Sequence, residues 1–143
     1  MTEIIKSALV GYSARKMFEL INDISSYPEY MTGVKKVEIL TQTETCIEAR
    51  LVVAKGRLQQ TFATRNTLTS PSLMQMDLIE GPFKTFSGSW QFKALAEDAC
   101  KVTLALQFEF NNRLLALAAG PMFESLSGQQ VDALCARAEK IYG

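Results

Sequence analysis

No histidine occurs anywhere in the 143 residues. That one absence removes the Ser-His-Asp and Cys-His catalytic arrangements, the usual zinc ligand sets and the commonest general base. Neither sign of charge is in excess: fifteen Lys and Arg balance fifteen Asp and Glu. With no net field to draw the chain to a polyanion, any such contact has to be a local patch, and DNA is not an expected partner. Long apolar runs are missing too, and none reaches the roughly 18 residues of a membrane span. Cysteine is sparse. Cys46, Cys100 and Cys135 share no metal-like spacing and read as free thiols in a reducing compartment. The opening residues, Met1 to Lys6, lack the basic start, apolar core and small-residue cleavage site of a secretory signal, so a cytoplasmic location is expected. Neither a metal site nor a resident cofactor is expected.

What is present is the balance of an ordinary globular domain, 48% hydrophobic against 21% charged. The length fits one domain spanning 1–143 and buries about two-thirds of the surface of the unfolded chain. Glu3 to Val10 suits an opening strand that ends at Gly11. Ser13 stands at a helix N-cap, followed by Ala14, Met17, Phe18 and Ile21 at i, i+3, i+4 and i+7. Asn22-Asp23 interrupts, and Ile24 to Tyr30 reads as a second short helix or turn broken by Pro28. From Val34 the pattern is β, with strands expected near Val34–Thr41, Cys46–Ala54, Leu58–Leu68, Leu73–Glu80, Thr85–Leu95 and Lys101–Phe110. Short turn-rich connections make these an antiparallel meander. The last strand alternates most clearly: Val102, Leu104, Leu106, Phe108 and Phe110 share one face, Thr103, Gln107 and Glu109 the other.

A single helical pattern then runs from about Leu114 to Tyr142, capped by Asn111 or Asn112 and ended by Gly143. As one continuous helix, its roughly 30 residues span about 45 Å. A globule of this length is only about 35 to 40 Å across, so the sheet has to wrap around the helix. Pro121 lacks an amide hydrogen, and a kink or break is expected at Gly120-Pro121. That would divide a leading part, Leu114 to Ala119, which could act as a lid, from a gripping part, Met122 to Tyr142. The fold class is α+β: a curved antiparallel sheet, two short helices near the N-terminus and one long C-terminal helix.

Local strings carry a family resemblance over essentially the whole chain. They are Tyr12-Ser13, Met17-Phe18, Asp23-Ile24, Tyr27-Pro28-Glu29-Tyr30, Glu80-Gly81-Pro82-Phe83, Gly88-Ser89-Trp90-Gln91-Phe92, Ala99-Cys100-Lys101-Val102, Phe108-Glu109-Phe110, Gly120-Pro121-Met122-Phe123, Arg137-Ala138 and Tyr142-Gly143. Together they resemble the coenzyme Q-binding START family, which includes the bacterial ribosome-association toxin A proteins and has the helix-grip (START/Bet v 1-like) fold also seen in polyketide cyclases. The resemblance implies one of two functions: binding of ubiquinone in support of respiration, or binding to the large ribosomal subunit that blocks subunit joining. The chain departs from the family after Tyr-Pro, where a Pro-Trp-Cys-like stretch is replaced by Tyr30-Met31-Thr32-Gly33-Val34-Lys35-Lys36.

On this reading Phe62, Trp90, Phe92, Leu106, Phe108, Met122, Phe123 and Leu126 are candidates for lining an apolar tunnel between sheet and helix, although any such fold also buries them as core. Met74, Met76 and Met122 offer adaptable packing. Tyr27, Pro28 and Tyr30 are expected on a loop at the groove mouth, where gating or transient contact with the inner membrane is conceivable. Arg15-Lys16, Lys35-Lys36 and Lys55 with Arg57 are the basic pairs available to ribosomal phosphates. Asp77, Glu80, Glu109 and Arg65 are strand-borne polar groups with no nucleophile-base pairing among them, so no enzyme activity is expected. The resulting expectation is a non-enzymatic carrier or chaperone of a hydrophobic isoprenoid ligand, with ubiquinone first among candidates. The alternative is a ribosome-association toxin.

Overall fold

The computed structural model describes residues Met1–Gly143. Its elements are β1 (Thr2–Val10), α1 (Ala14–Asn22), a 3-10 turn (Ile24–Ser26), α2 (Tyr27–Tyr30), β2 (Val34–Gln42), β3 (Cys46–Lys55), β4 (Leu58–Thr69), β5 (Leu73–Glu80), β6 (Phe83–Ala96), β7 (Ala99–Phe110), α3 (Arg113–Gly128) and α4 (Gln130–Tyr142). All seven strands form one antiparallel sheet in the order β1-β7-β6-β5-β4-β3-β2. Six of them follow one another as a meander, because each connection is too short to cross over. β1 joins at the β7 end, so β1 and β2 are the two free edges. No helix is long and apolar enough to cross a membrane.

Alternation decides which face is inside. In β7, residues 100, 102, 104, 106, 108 and 110 are all buried, and they face the helices across a single core. Gly88 on β6 belongs to this inner face. A Cβ there would lie 2.3 Å from Leu106 Cδ2 and 2.7 Å from the Ala105 carbonyl, so the missing side chain is what lets Leu106 lie across β6. α1 packs on β5, β6 and β7, while α3 and α4 pack on β1 and β7. Two of the helices are capped by a side chain at the start: Ser13 Oγ accepts from the Lys16 amide at 3.1 Å before α1, and Asn112 Oδ1 accepts from the Leu114 and Leu115 amides at 2.8 and 3.1 Å before α3. Such caps are worth about 1 kcal/mol each.

Of the two outcomes expected at Gly120-Pro121, a kink or a break, the structure excludes the break. α3 runs through Pro121 and stops at Gln129, which has φ −100° and ψ −4° and serves as the end of α3 and the start of α4. Pro121 leaves only the carbonyl of Leu117 without its helical donor, and Leu117 is 74% exposed, so water can serve that oxygen. Gly128 weakens the helix at the real interruption, where the Gln129 amide turns back to the Leu126 carbonyl at 3.2 Å. Nor is Leu114 to Ala119 hinged off as a free lid: α3 carries it without a break into the turn that bears Phe123, and its Ala119 is fully buried. Phe123 of α3 sits in a nest of sheet phenylalanines, with ring centroids 5.5 Å from Phe62, 5.1 Å from Phe83, 5.0 Å from Phe108, 6.3 Å from Phe86 and 6.1 Å from Phe110. Burying such a ring stabilises by about 2 to 3 kcal/mol, and edge-to-face pairs add to it.

A second correction concerns Tyr27, Pro28 and Tyr30. They form α2, within the second short helix or turn expected over Ile24 to Tyr30, and so lie on no loop; Pro28 does not break it, because at the first turn its lack of an amide hydrogen costs nothing.

Candidate functional site

Between the sheet and α3 lies a cavity of about 100 Å³, reached by every strand except β1. Its walls are Leu51 and Val53 of β3, Phe62 of β4, Met76 of β5, Phe86 and Trp90 of β6, and Leu104 and Leu106 of β7. Val34 of β2, Ile24 and Tyr27 close one end, and Phe123 and Leu126 of α3 form the roof. The stretch that departs from the family pattern contributes here, through Met31, Thr32 and Val34.

Of the residues expected to line a tunnel, Phe62, Trp90, Leu106, Phe123 and Leu126 meet at this cavity, and Phe92, Phe108 and Met122 do not. Phe92 packs edge-on to Phe18 of α1, at 6.1 Å, and Phe108 belongs to the phenylalanine nest under Phe123. Met122 is buried in the core, as is Met74. Of the expected mouth residues, Tyr27 lines the cavity, whereas Pro28 is exposed and Tyr30 is half-buried beside the Arg137 guanidinium, 5.0 Å from its ring. Arg137 also reaches Glu29 at 3.5 Å, which ties α4 to α2.

The polar residues of the cavity were not singled out by sequence reasoning, which looked for aromatic side chains. Thr64 and Asn66 are 3% and 4% exposed, and Thr64 Oγ1 donates to Asn66 Oδ1 at 2.9 Å. Ser127 of α3 is 5% exposed. Gln130 reaches across the opening to the Thr32 carbonyl. A signal did exist: Thr64 and Asn66 share the two-residue period of Phe62 and Leu68, so β4 carries two polar residues on an otherwise apolar face. No charged side chain lines the cavity. An ion placed here would lose its hydration with nothing to replace it, so the site suits neutral molecules.

The two phenols nearest the cavity end are held protonated. Tyr27 donates to the Ile21 carbonyl, and burial pushes its pKa well above the usual phenol value. Burial likewise raises Tyr30, against the opposing pull of Arg137. Burial also raises the thiols of Cys100 and Cys135, which makes both poor nucleophiles.

Outside the cavity, the polar groups weighed for catalysis lie on the solvent side. Arg65 pairs with Glu48 at 2.7 Å, Glu80 with Arg50 at 2.8 Å and Glu109 with Lys84 at 3.9 Å, while Asp77 is exposed. Of the expected basic pairs, Lys16 lies over the Tyr142 ring and Lys55 bonds Ser125, while Arg15, Lys35, Lys36 and Arg57 are exposed. A pair that sequence reasoning passed over is Lys93 and Lys101, directly opposite each other on β6 and β7 and exposed on the outer face. Leu9, 73% exposed, is the next residue in that row, on β1. A shallow open cleft of about 690 Å³ between the free edge of β1 and α3 is lined by residues of both charges, including Glu3, Lys6 and Glu124.

Comparison with known proteins places this geometry in a family. The model described as polyketide cyclase / dehydrase and lipid transport matches residues 10–135. The chain is 44% identical over 142 residues to a ribosome association toxin, RatA, of Pseudomonas aeruginosa, covering 99% of each. It is 27% identical over 132 residues to a mitochondrial coenzyme Q-binding protein of Drosophila melanogaster, covering 90% of this chain and 54% of that one. Among solved structures, the Zhui aromatase/cyclase of a Streptomyces species superposes with a TM-score of 0.81 at 18% identity, covering 99% of this chain and 96% of that one. A START superfamily protein of Mycobacterium smegmatis gives 0.77 at 21% identity, covering 97% and 98%. These two likenesses show the helix-grip fold alone, which hosts carriers and enzymes alike.

Proposed function

This chain belongs to the polyketide cyclase / dehydrase and lipid transport family, and from its likeness to ribosome association toxins we propose that it acts in ribosome association, binding the large ribosomal subunit and hindering subunit joining. The observation that carries this reading is the end-to-end identity with proteins named ribosome association toxin, well above that with the coenzyme Q-binding protein. A balanced net charge does not oppose it, since binding to RNA needs only a local set of free cations. Sedimentation of cell extract containing the protein tests it. The expected result is the protein in the large-subunit peak together with fewer joined ribosomes, and its confinement to the top of the gradient would overturn the reading.

The cavity favours a second reading alongside the first: the chain binds a neutral apolar molecule between sheet and α3. Carriage of ubiquinone with its full tail is the weaker form of this idea. Pockets for drug-sized ligands run to roughly 300 to 1,000 Å³, several times the space present, and an isoprenoid tail would need α3 and its Phe123 anchor to move. Lipid extraction and native mass spectrometry of protein from its own host would test this reading. Recovery of a bound apolar compound supports it, and an empty protein that also takes up no added compound removes it.

A further inference from the structure

We infer that the cavity is specific for a compact neutral ring compound bearing a carbonyl-type acceptor, which Asn66 Nδ2 would bind. This rests on the second reading above, that the cavity binds an apolar ligand. The argument begins with the direction of the polar groups. Thr64 spends its hydroxyl hydrogen on Asn66 Oδ1, which turns the amide so that its NH₂ is left over. Asn66 is 96% buried by its 4% exposure, and Nδ2 makes no hydrogen bond within the protein, yet it is not sealed in the packing. The space left to it is the cavity that Asn66 lines. The indole N–H of Trp90 on the same wall is in the same condition: 4% exposed, without a protein partner and not sealed in.

Donors that no protein group satisfies, on the wall of an otherwise apolar chamber, favour a ligand that brings an acceptor over one that does not. The chemistry of that acceptor follows from what else is there. With no cation in the walls, a carboxylate or phosphate would be desolvated without compensation. A carbonyl oxygen has two lone pairs, carries no charge and accepts from two N–H groups. The volume sets the size: about 100 Å³ is of the order of the roughly 150 Å³ engineered cavity that admits benzene.

The test compares cyclohexanone with methylenecyclohexane, which replaces the carbonyl oxygen by a methylene of similar shape. Binding is read by fluorescence of Trp90, the single tryptophan, and by the side-chain NH₂ resonances of Asn66 in nitrogen-15 spectra. Saturating ketone should move the Asn66 NH₂ resonances downfield, and the hydrocarbon should not. In Asn66→Leu the affinity ratio of ketone to hydrocarbon should fall by about fivefold to tenfold, the worth of one hydrogen bond. Unmoved Asn66 resonances at saturating ketone, or a ratio unchanged in the variant, would overturn the inference while leaving the cavity a ligand site. If neither probe disturbs Trp90 or Asn66, the cavity reading fails as well. Should Asn66→Leu not fold, the resonance comparison in the unaltered protein decides alone.

Discussion

Gln130 Nε2 donates to the Thr32 carbonyl at 2.8 Å and, at 2.9 Å, to the Leu126 carbonyl. One amide thus joins the first residue of α4, the last turns of α3 and the strand-entry turn that closes the cavity. Replacing it should loosen the mouth and leave the sheet alone. For Gln130→Ala we expect a loss of about 1 kcal/mol in stability and about a fivefold rise in hydrogen exchange at Val34, whose amide bonds the Met31 carbonyl within that turn. Leu104 in the core of the sheet, which exchanges through global unfolding, should speed up only by the factor that the lost global stability sets. Unchanged exchange at Val34 would show that the turn is held without Gln130.

Gly33 faces Leu126 at the same opening. Its φ is +80°, and a Cβ would lie 2.6 Å from both δ carbons of Leu126. Gly33→Ala therefore meets two separate costs, the left-handed backbone and the overlap, together about 2 to 4 kcal/mol by urea denaturation. Only the second depends on Leu126. In a Leu126→Ala background the same change should cost about 1 to 2 kcal/mol less, and simple additivity would rule out the proposed clash.

These two contacts also mark where sequence reasoning stopped. The strands were legible because period-two alternation is local: Val102 to Phe110 reads as one buried face without knowledge of any partner. The helix interruption was misplaced because Pro121 is the stronger local breaker, yet Phe123 two residues later is fixed by five sheet phenylalanines that no local pattern brings together. The aromatic half of the cavity was legible, but its polar half was not. Asn66 and Thr64 become a site only when β4 curves toward Ser127 and Trp90, and Gln130 matters only through a carbonyl 98 residues earlier in the chain.

High pH should unfold the protein through its buried phenols. An unfolded tyrosine titrates near pH 10, whereas burial keeps Tyr27 and Tyr30 protonated to higher pH in the folded chain. Above pH 10 the unfolded state therefore holds fewer protons than the folded one. Unfolding free energy then falls as pH rises, by up to about 1.4 kcal/mol per pH unit for each phenol, until the folded values are passed; below about pH 9 neither contributes a slope. Tyr27→Phe removes one such group. Its stability should lie below that of the unaltered protein at pH 8, through the lost bond to the Ile21 carbonyl, and the gap should narrow by pH 11. Urea denaturation at the two pH values measures it, and a gap that stays constant would exclude the phenol as the cause.

Lys93 and Lys101 face each other across β6 and β7 with no carboxylate bonded to either. Like charges placed directly opposite on a sheet destabilise by some tenths of a kcal/mol, a cost that folding alone gives no reason to keep. Phosphates of ribosomal RNA would turn that repulsion into an attraction. Lys93→Glu should then have two opposed effects: slightly higher stability, by about 0.2 to 1 kcal/mol from the new opposite-charge pair, and weaker co-sedimentation with the large subunit. Reversing both lysines should restore the repulsion, with stability returning to its original value, while co-sedimentation falls further. The unaltered protein should also lose binding as salt is raised, more steeply than the double variant, because each phosphate contact releases counterions. Co-sedimentation and a salt slope untouched by the double reversal would remove this pair from the proposed ribosomal contact, with Arg15, Lys35, Lys36 and Arg57 the next exposed cations to reverse.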